Sequence, residues 1–214
     1  MDDAASLQRL LATLGRARGV EVIVVDGGSA DESREVATRC HGRVLQASRG
    51  RASQMNAGAA QACGQWLWFL HADSVPLHSP QHYLAAIVAA PAWGFFPVRL
   101  SGARPVFRLI AQAMNWRSRL TGIATGDQGL FVKKSLFEEV GGYPGIPLME
   151  DIALCRALAR LHRPSVPSLQ LQTSSRRWER DGVWPTVWLM WRLRFAYWRG
   201  VSPQQLWREY YGGG

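Results

Sequence analysis

The sequence predicts an α/β fold, and two observations carry that expectation. Short continuous apolar runs bounded by turn residues, Glu21-Val22-Ile23-Val24-Val25 and Trp66-Leu67-Trp68-Phe69-Leu70, read as strands buried on both faces, the parallel-sheet type. Segments with apolar residues at helical spacing alternate with such runs along the chain. The 214 residues, 47% apolar with ten tryptophans, hold ample material for a core.

The elements follow in order. Leu7, Leu10, Leu11 and Leu14 predict a helix over 6–18. The strand at 21–25 ends in Asp26-Gly27-Gly28-Ser29-Ala30-Asp31, a glycine turn that can cap a helix over 31–39. A short strand at 43–46 and a small-residue helix over 53–63 lead to the strand at 66–70. Helices are expected at 81–89, 106–119 and 147–161, and strands at 94–100, 129–132 and 166–171. Near the end, Trp184, Trp188, Trp191, Phe195 and Trp198 fall at steps of four and three, one stripe of a helix over 185–199. Leu189, Leu193 and Tyr197 lie opposite, so this helix has two sides to cover. It is either clamped between the domain and a final helix starting at Ser202-Pro203, or it offers one side to a partner or a bilayer surface. The closing Gly212-Gly213-Gly214 reads as a frayed end.

The formal charge is +9, almost wholly arginine, with only two lysines. That suits nucleic acid, an anionic membrane or a phosphorylated small molecule. No known nucleic-acid module is present, which argues against the first. No apolar run reaches the roughly 18 residues of a membrane span. The start Met1-Asp2-Asp3-Ala4-Ala5 lacks a signal-peptide pattern, and Cys40, Cys63 and Cys155 are an odd set without paired spacing. These features predict reduced thiols and a cytoplasmic protein, peripheral at the inner membrane if the tryptophan stripe meets lipid.

Four polar clusters stand at predicted strand ends or helix starts. They are Asp26 with Ser29 and Asp31; Arg49-Gly50-Arg51 through Asn56-Ala57-Gly58; His71-Ala72-Asp73; and Gly126-Asp127-Gln128 with Glu150-Asp151. In open parallel sheets, ligands bind beyond the carboxyl ends of the strands. A His and a carboxylate leaving a buried strand one residue apart can hold a divalent ion against a phosphate, or form a turn in which Asp73 caps the next segment. Carboxylates, a divalent ion and arginine together suit a diphosphate leaving group.

The ordered set resembles family 2 glycosyltransferases of the GT-A fold. It runs from Glu21-Val22-Ile23-Val24-Val25-Asp26-Gly27-Gly28-Ser29-Ala30-Asp31 through Arg49-Gly50 to Asn56-Ala57-Gly58, then Phe69-Leu70-His71-Ala72-Asp73, Gly126-Asp127-Gln128-Gly129 and Met149-Glu150-Asp151. The wording His-Ala-Asp-Ser, Gly-Asp-Gln-Gly-Leu-Phe-Val and Leu-Met-Glu-Asp is most similar to a bacterial subgroup named for association with radical-SAM and selenium-domain genes, or arsenosugar biosynthesis. The resemblance implies a Rossmann-like, mostly parallel sheet between helices. It places a GT-A-like domain at 1–180 and a Trp- and Arg-rich helical extension at 181–214. The strand that opens the family's sheet, ending in Pro-x-x-Asn-Glu, has no counterpart here.

The resemblance also implies inverting transfer of a sugar from a nucleotide-diphosphate donor to an unidentified acceptor hydroxyl, with Mg²⁺ or Mn²⁺. Asp26 would contact the base; Arg51 and Asn56 would support the diphosphate. Asp73 and His71 would hold the metal. Asp127, Gln128, Glu150, Arg177 and Trp178 would meet substrate, with Asp127 placing the acceptor and Asp151 taking its proton. Gly27, Met55 and His71 replace an acid, an arginine and an acid of the family pattern, and Ser174 replaces the glutamine of the processive signature. The alternative is a non-catalytic binding protein on the same scaffold.

Overall fold

The computed structural model describes residues 3–15, 17–40 and 42–212. Met1 and Asp2 of the acidic start, and Gly213 and Gly214 of the closing glycines, lie outside the described residues. The chain begins with α1 (Ala4–Leu14), β1 (Ile23–Asp26), α2 (Ser33–Arg39), β2 (Arg43–Gln46), α3 (Arg51–Gln61) and β3 (Trp66–Trp68). It continues through β4 (Val75–Pro76), α4 (Pro80–Val88), β5 (Trp93–Gly94), β6 (Val98–Leu100) and α5 (Pro105–Thr121). A 3-10 turn (Gly126–Gln128) leads to β7 (Phe131–Lys133), α6 (Lys134–Glu139), α7 (Glu150–Leu161) and β8 (Leu171–Thr173). Helices α8 (Arg176–Asp181), α9 (Val183–Trp198) and α10 (Pro203–Tyr211) close it.

Local chemistry sets the boundaries. Helix α1 starts earlier than its leucines suggest because Asp3 accepts from Ser6 N, and it stops where Gly15 takes φ +54. The run at 94–100 splits in two. Trp93–Gly94 pairs with β7 and Val98–Leu100 pairs with β8, while Pro97 between them has no N–H for a ladder. The last strand begins at Leu171, beyond Pro164 and Pro167.

The described strands form three sheets, β1-β2, β3-β7-β5 and β4-β8-β6, of mixed rather than the expected mostly parallel pairing. Pairs β1–β2 and β6–β8 are parallel; β3–β7, β5–β7 and β4–β8 are antiparallel. Strand β3 is covered on both faces as expected. Leu67 packs into a cluster with Trp93, Phe95, Val132 and Leu154, and Trp66 and Trp68 pack against Tyr83, Phe96 and Phe131 on the other side. Trp68 stacks on Tyr83 with ring centroids 5.2 Å apart. Burying each of these large side chains contributes roughly 1.5–3 kcal/mol. A strand covered on both faces shows the same apolar run whichever way its neighbour points, so direction was not readable from composition.

Among the described residues, β1 pairs only with β2 and β3 only with β7. Between these two strands, floored by α3, runs a groove of about 810 Å³. It positions the site, because the carboxyl ends of both strands open into it.

Helix α9 packs on two clusters: Val183, Val187 and Met190 lie against Phe107, Ala111 and Trp178. Leu193 is buried beside Leu206 of α10, with Leu189 and Tyr197 packed against the same cluster. The tryptophan stripe belongs to neither side and stays open. Ser202 caps α10 by accepting from Gln205 N, as its sequence predicts.

Candidate active site

Asp26 ends β1 and is buried at the mouth of the groove. Its Oδ1 accepts from Ser29 N at 3.0 Å and Ser29 Oγ at 2.6 Å. Its buried Oδ2 has no hydrogen-bond partner and lies 3.8 Å from Arg34 Nε. Burial alone would raise this carboxyl, but the Ser29 bonds, the Gly28 amide and the Arg34 charge together hold it below its ordinary value. Asp31, from the same cluster, is structural: it accepts from Ala4 N and Ser33 N and ties α1 to α2.

His71 and Asp73 follow β3 on the other side of the groove. Asp127 reaches them from the 3-10 turn, and one ligand atom from each of the three lies within 4.8 Å of the others. His71 Nδ1 is 3.9 Å from Asp127 Oδ1, and its Nε2 is buried without a partner. Burial, reinforced by Arg51, pushes the imidazole pKa down to about 4, so it is neutral at physiological pH. The same burial raises the Asp73 and Asp127 carboxyls; Asp127 adds to the effect on Asp73, and Asp151 to that on Asp127. A neutral imidazole with an unsatisfied ring nitrogen, beside two carboxylates that repel each other, is a donor set that fits a divalent cation. Asp127 was expected beside the acceptor; the fold groups it with His71 and Asp73 instead.

Glu150 and Asp151 open α7. The residue before them, Met149, is buried at φ +70, the one positive φ outside glycine among the described residues. Such a left-handed position costs free energy and persists where the surroundings demand it. Asp151 Oδ2 accepts from Gly126 N at 3.1 Å and its Oδ1 from Ile152 N at 2.7 Å. Glu150 is buried, with Oε1 4.0 Å from Arg51 Nη1; burial and Asp151 raise its carboxyl. Arg51 stands at the first turn of α3, half exposed to the groove. Burial opposes its charge, but the charges of Asp127, Glu150 and Asp151 outweigh that and keep its guanidinium protonated. Arg117 and Arg194 also feel the Asp151 charge, a pair that the motifs did not signal because they sit in helices far along the chain.

Four residues expected at the substrate make contacts within the protein. Asn56 donates from Nδ2 to Tyr143 O at 2.8 Å and accepts at Oδ1 from Tyr143 N at 2.9 Å, so its amide braces α3 against the 143 loop rather than a diphosphate. Gln128 is fully buried, its Oε1 accepting from Ser118 Oγ and from Thr125 N and Oγ1, which closes a capping box on the 3-10 turn. Trp178 is buried with Leu100, Phe107 and Ala111 and lines an apolar cavity between α5 and α9, not the groove of Asp26 and His71. Arg177 lies over the Tyr210 ring at 4.3 Å and 3.7 Å from Asp181 Oδ2, although its charge still reaches Asp127.

Comparison with known proteins gives the family and the fold. The profile of the family described as glycosyl transferase family 2 matches residues 3–122. Two sequences from Mycobacterium tuberculosis strains, each named an uncharacterized glycosyltransferase, are 32% identical over 176 residues. The match covers 73% of this chain and 66% of each relative, so the chain spans just under two thirds of their length. Among solved structures, TarS 1–349 of S. aureus superposes with a TM-score of 0.64 at 18% identity, covering 82% of this chain and 58% of that one. A Pyrobaculum calidifontis mannosyltransferase, solved with GDP-Man and Mn²⁺, gives 0.62 at 20% identity over 91% of this chain and 58% of its own. Glucosyl-3-phosphoglycerate synthase from M. tuberculosis, solved with Mg²⁺ and uridine-diphosphate, gives 0.57 at 17% identity over 81% and 67%. At these identities the structural likeness carries the fold alone.

Proposed function

Since the chain belongs to glycosyltransferase family 2 and has the GT-A fold, we propose that it transfers a sugar from a nucleotide-diphosphate donor to an acceptor hydroxyl, with inversion at the anomeric carbon. The observation that carries this reading is the meeting of His71, Asp73 and Asp127 at the groove mouth, next to Arg51. Solved GT-A neighbours bind UDP, UDP-GlcNAc and GDP-Man, which supports a nucleotide-sugar in a groove of this size.

His71, Asp73 and Asp127 would hold Mg²⁺ or Mn²⁺, which when bound offsets the charge that grows on the departing diphosphate. Arg51 adds a second cation on the same side, kept charged by three carboxylates. Asp26, whose buried Oδ2 has no hydrogen-bond partner, would meet the base. Asp151 takes the proton of the attacking hydroxyl, oriented by its bond from Gly126 N. Glu150 is buried and faces Arg51, so it positions that guanidinium rather than serving as base.

A thermal-shift panel of nucleoside diphosphates with and without Mn²⁺ tests the reading. Stabilisation by one nucleotide only when Mn²⁺ is present supports it. Equal shifts with and without metal, or none with any nucleotide, would overturn it. Mn²⁺-dependent hydrolysis or transfer of the matching nucleotide-sugar then separates an enzyme from a binding protein on the same scaffold.

A further inference from the structure

Helix α9 leaves Trp184, Trp188, Trp191, Phe195 and Trp198 each 58–75% exposed. Helix α5 continues this surface with Leu109, Trp116 and Leu120, each 64–68% exposed. The two stripes meet at an apolar cavity of about 230 Å³, walled by Leu109 and Ala113 of α5 and Trp184 and Trp191 of α9. Exposed apolar residues scattered singly are ordinary, but eight large ones on two adjoining helices form a patch that marks an interaction surface.

Charge selects the partner. The stretch 98–126 has five arginines and no carboxylate, and 182–211 has four arginines and one carboxylate, Glu209, which pairs with Arg192. Arg104, Arg108, Arg119 and Arg199 are exposed. Arg192 lies over the Trp188 ring at 4.7 Å and Arg199 over Phe195 at 5.9 Å, so cations border the aromatic stripe. A second copy of the chain would set arginine against arginine. Leu109 and Leu120 suit acyl chains and offer nothing to a nucleic-acid base.

We propose that the α5/α9 face seats this protein on an anionic lipid bilayer. Its rings would lie at the headgroup–acyl boundary and its arginines among the headgroup phosphates. Among the described residues no helix is long and apolar enough to cross a membrane, so the attachment is made in the plane of the surface.

The test is flotation of the full chain with vesicles of phosphatidylcholine alone or mixed with phosphatidylglycerol. The chain should float with the mixed vesicles, much less with phosphatidylcholine alone, and be released as salt rises. Trp184→Ser, Trp188→Ser and Trp191→Ser together should lower partitioning on the order of tenfold or more, with melting temperature unchanged because all three are exposed. Independently, Arg108→Gln, Arg119→Gln and Arg199→Gln should remove the preference for anionic vesicles while the aromatic face stays intact. Failure to float with either vesicle overturns the proposal. So does a concentration-dependent dimer that the tryptophan variant dissolves, or tighter binding to a single-stranded oligonucleotide than to the vesicles.

Discussion

The imidazole of His71 lies so close to Gly126 that a Cβ at position 126 would sit 2.5 Å from its Nε2. Gly126 packs against the Nε2 edge of the ring, while Nδ1 lies 3.9 Å from Asp127 Oδ1. Gly126→Ala must therefore push His71 out of the cluster, since real Cβ atoms essentially never approach so closely. We expect Mn²⁺ affinity, measured by calorimetry in the presence of nucleoside diphosphate, to fall about 10–100-fold, the usual consequence of disturbing a ligand's support. An unchanged affinity would remove His71 from the donor set.

Protonation of His71 gives a second expectation. Its folded pKa is about 4 against an ordinary 6.5, burial being the main cause. Between those values the unfolded chain binds the extra proton, so the His71 contribution to stability is complete above pH 6.5 and lost as pH falls toward 4. At about 1.4 kcal/mol per unit, the loss approaches about 3 kcal/mol. Asp73 and Asp127 work in the opposite sense, because their raised carboxyls stabilise the native state as pH falls through them. Urea denaturation of wild type and His71→Asn across that window isolates the imidazole. The wild type should lose stability on acidification faster than the variant.

Asp127→Asn distinguishes a metal ligand from an acceptor contact. Grouped with His71 and Asp73, Asp127 should when changed weaken Mn²⁺ binding on the order of tenfold or more. Steady-state kinetics give the contrary outcome: a raised KM for acceptor with Mn²⁺ dependence intact would return Asp127 to the acceptor side.

Much of this was legible, and for identifiable reasons. Leu7, Leu10 and Leu11 showed their helix through spacing, and Trp66 to Trp68 showed a strand because both faces are covered, although the apolar run continues past its end to Leu70. The order of polar motifs put His71, Asp73 and Asp127 in one expected cleft, and the fold brings a ligand atom of each within 4.8 Å of the others. Strand direction was hidden, since burial on both faces looks the same in parallel and antiparallel pairs. Asn56, Gln128 and Trp178 misled for a different reason: a motif records which residues recur, not whether a polar end meets substrate or neighbouring backbone. Gln128 is the clearest case, because its position beside Asp127 suggests a ligand contact while its amide is fully buried in a capping box.

The bracing role of Asn56 makes a separable prediction. Removing its amide leaves the Tyr143 N–H and C=O without their partners, at about 1–3 kcal/mol. Asn56→Ala should lower the urea midpoint accordingly. Below the unfolding transition, donor affinity by calorimetry should stay within about twofold, which is under 0.5 kcal/mol. A large loss of donor affinity at full foldedness would restore the diphosphate contact.

Asp151→Asn tests the proton step without dismantling the site. The amide keeps an oxygen that can accept from Gly126 N, so the link between the 3-10 turn and the start of α7 survives. What it loses is the bond from Ile152 N and the capacity to take a proton, and general-base steps are worth roughly 10²–10⁴-fold in rate. Transfer should fall by that factor in kcat while nucleotide-diphosphate binding with Mn²⁺ stays near wild type. Glu150→Gln provides the contrast, because Glu150 faces Arg51 and its loss should weaken donor binding more than kcat. If the two phenotypes are exchanged, the base is Glu150, and Met149 holds its left-handed turn to present that residue instead.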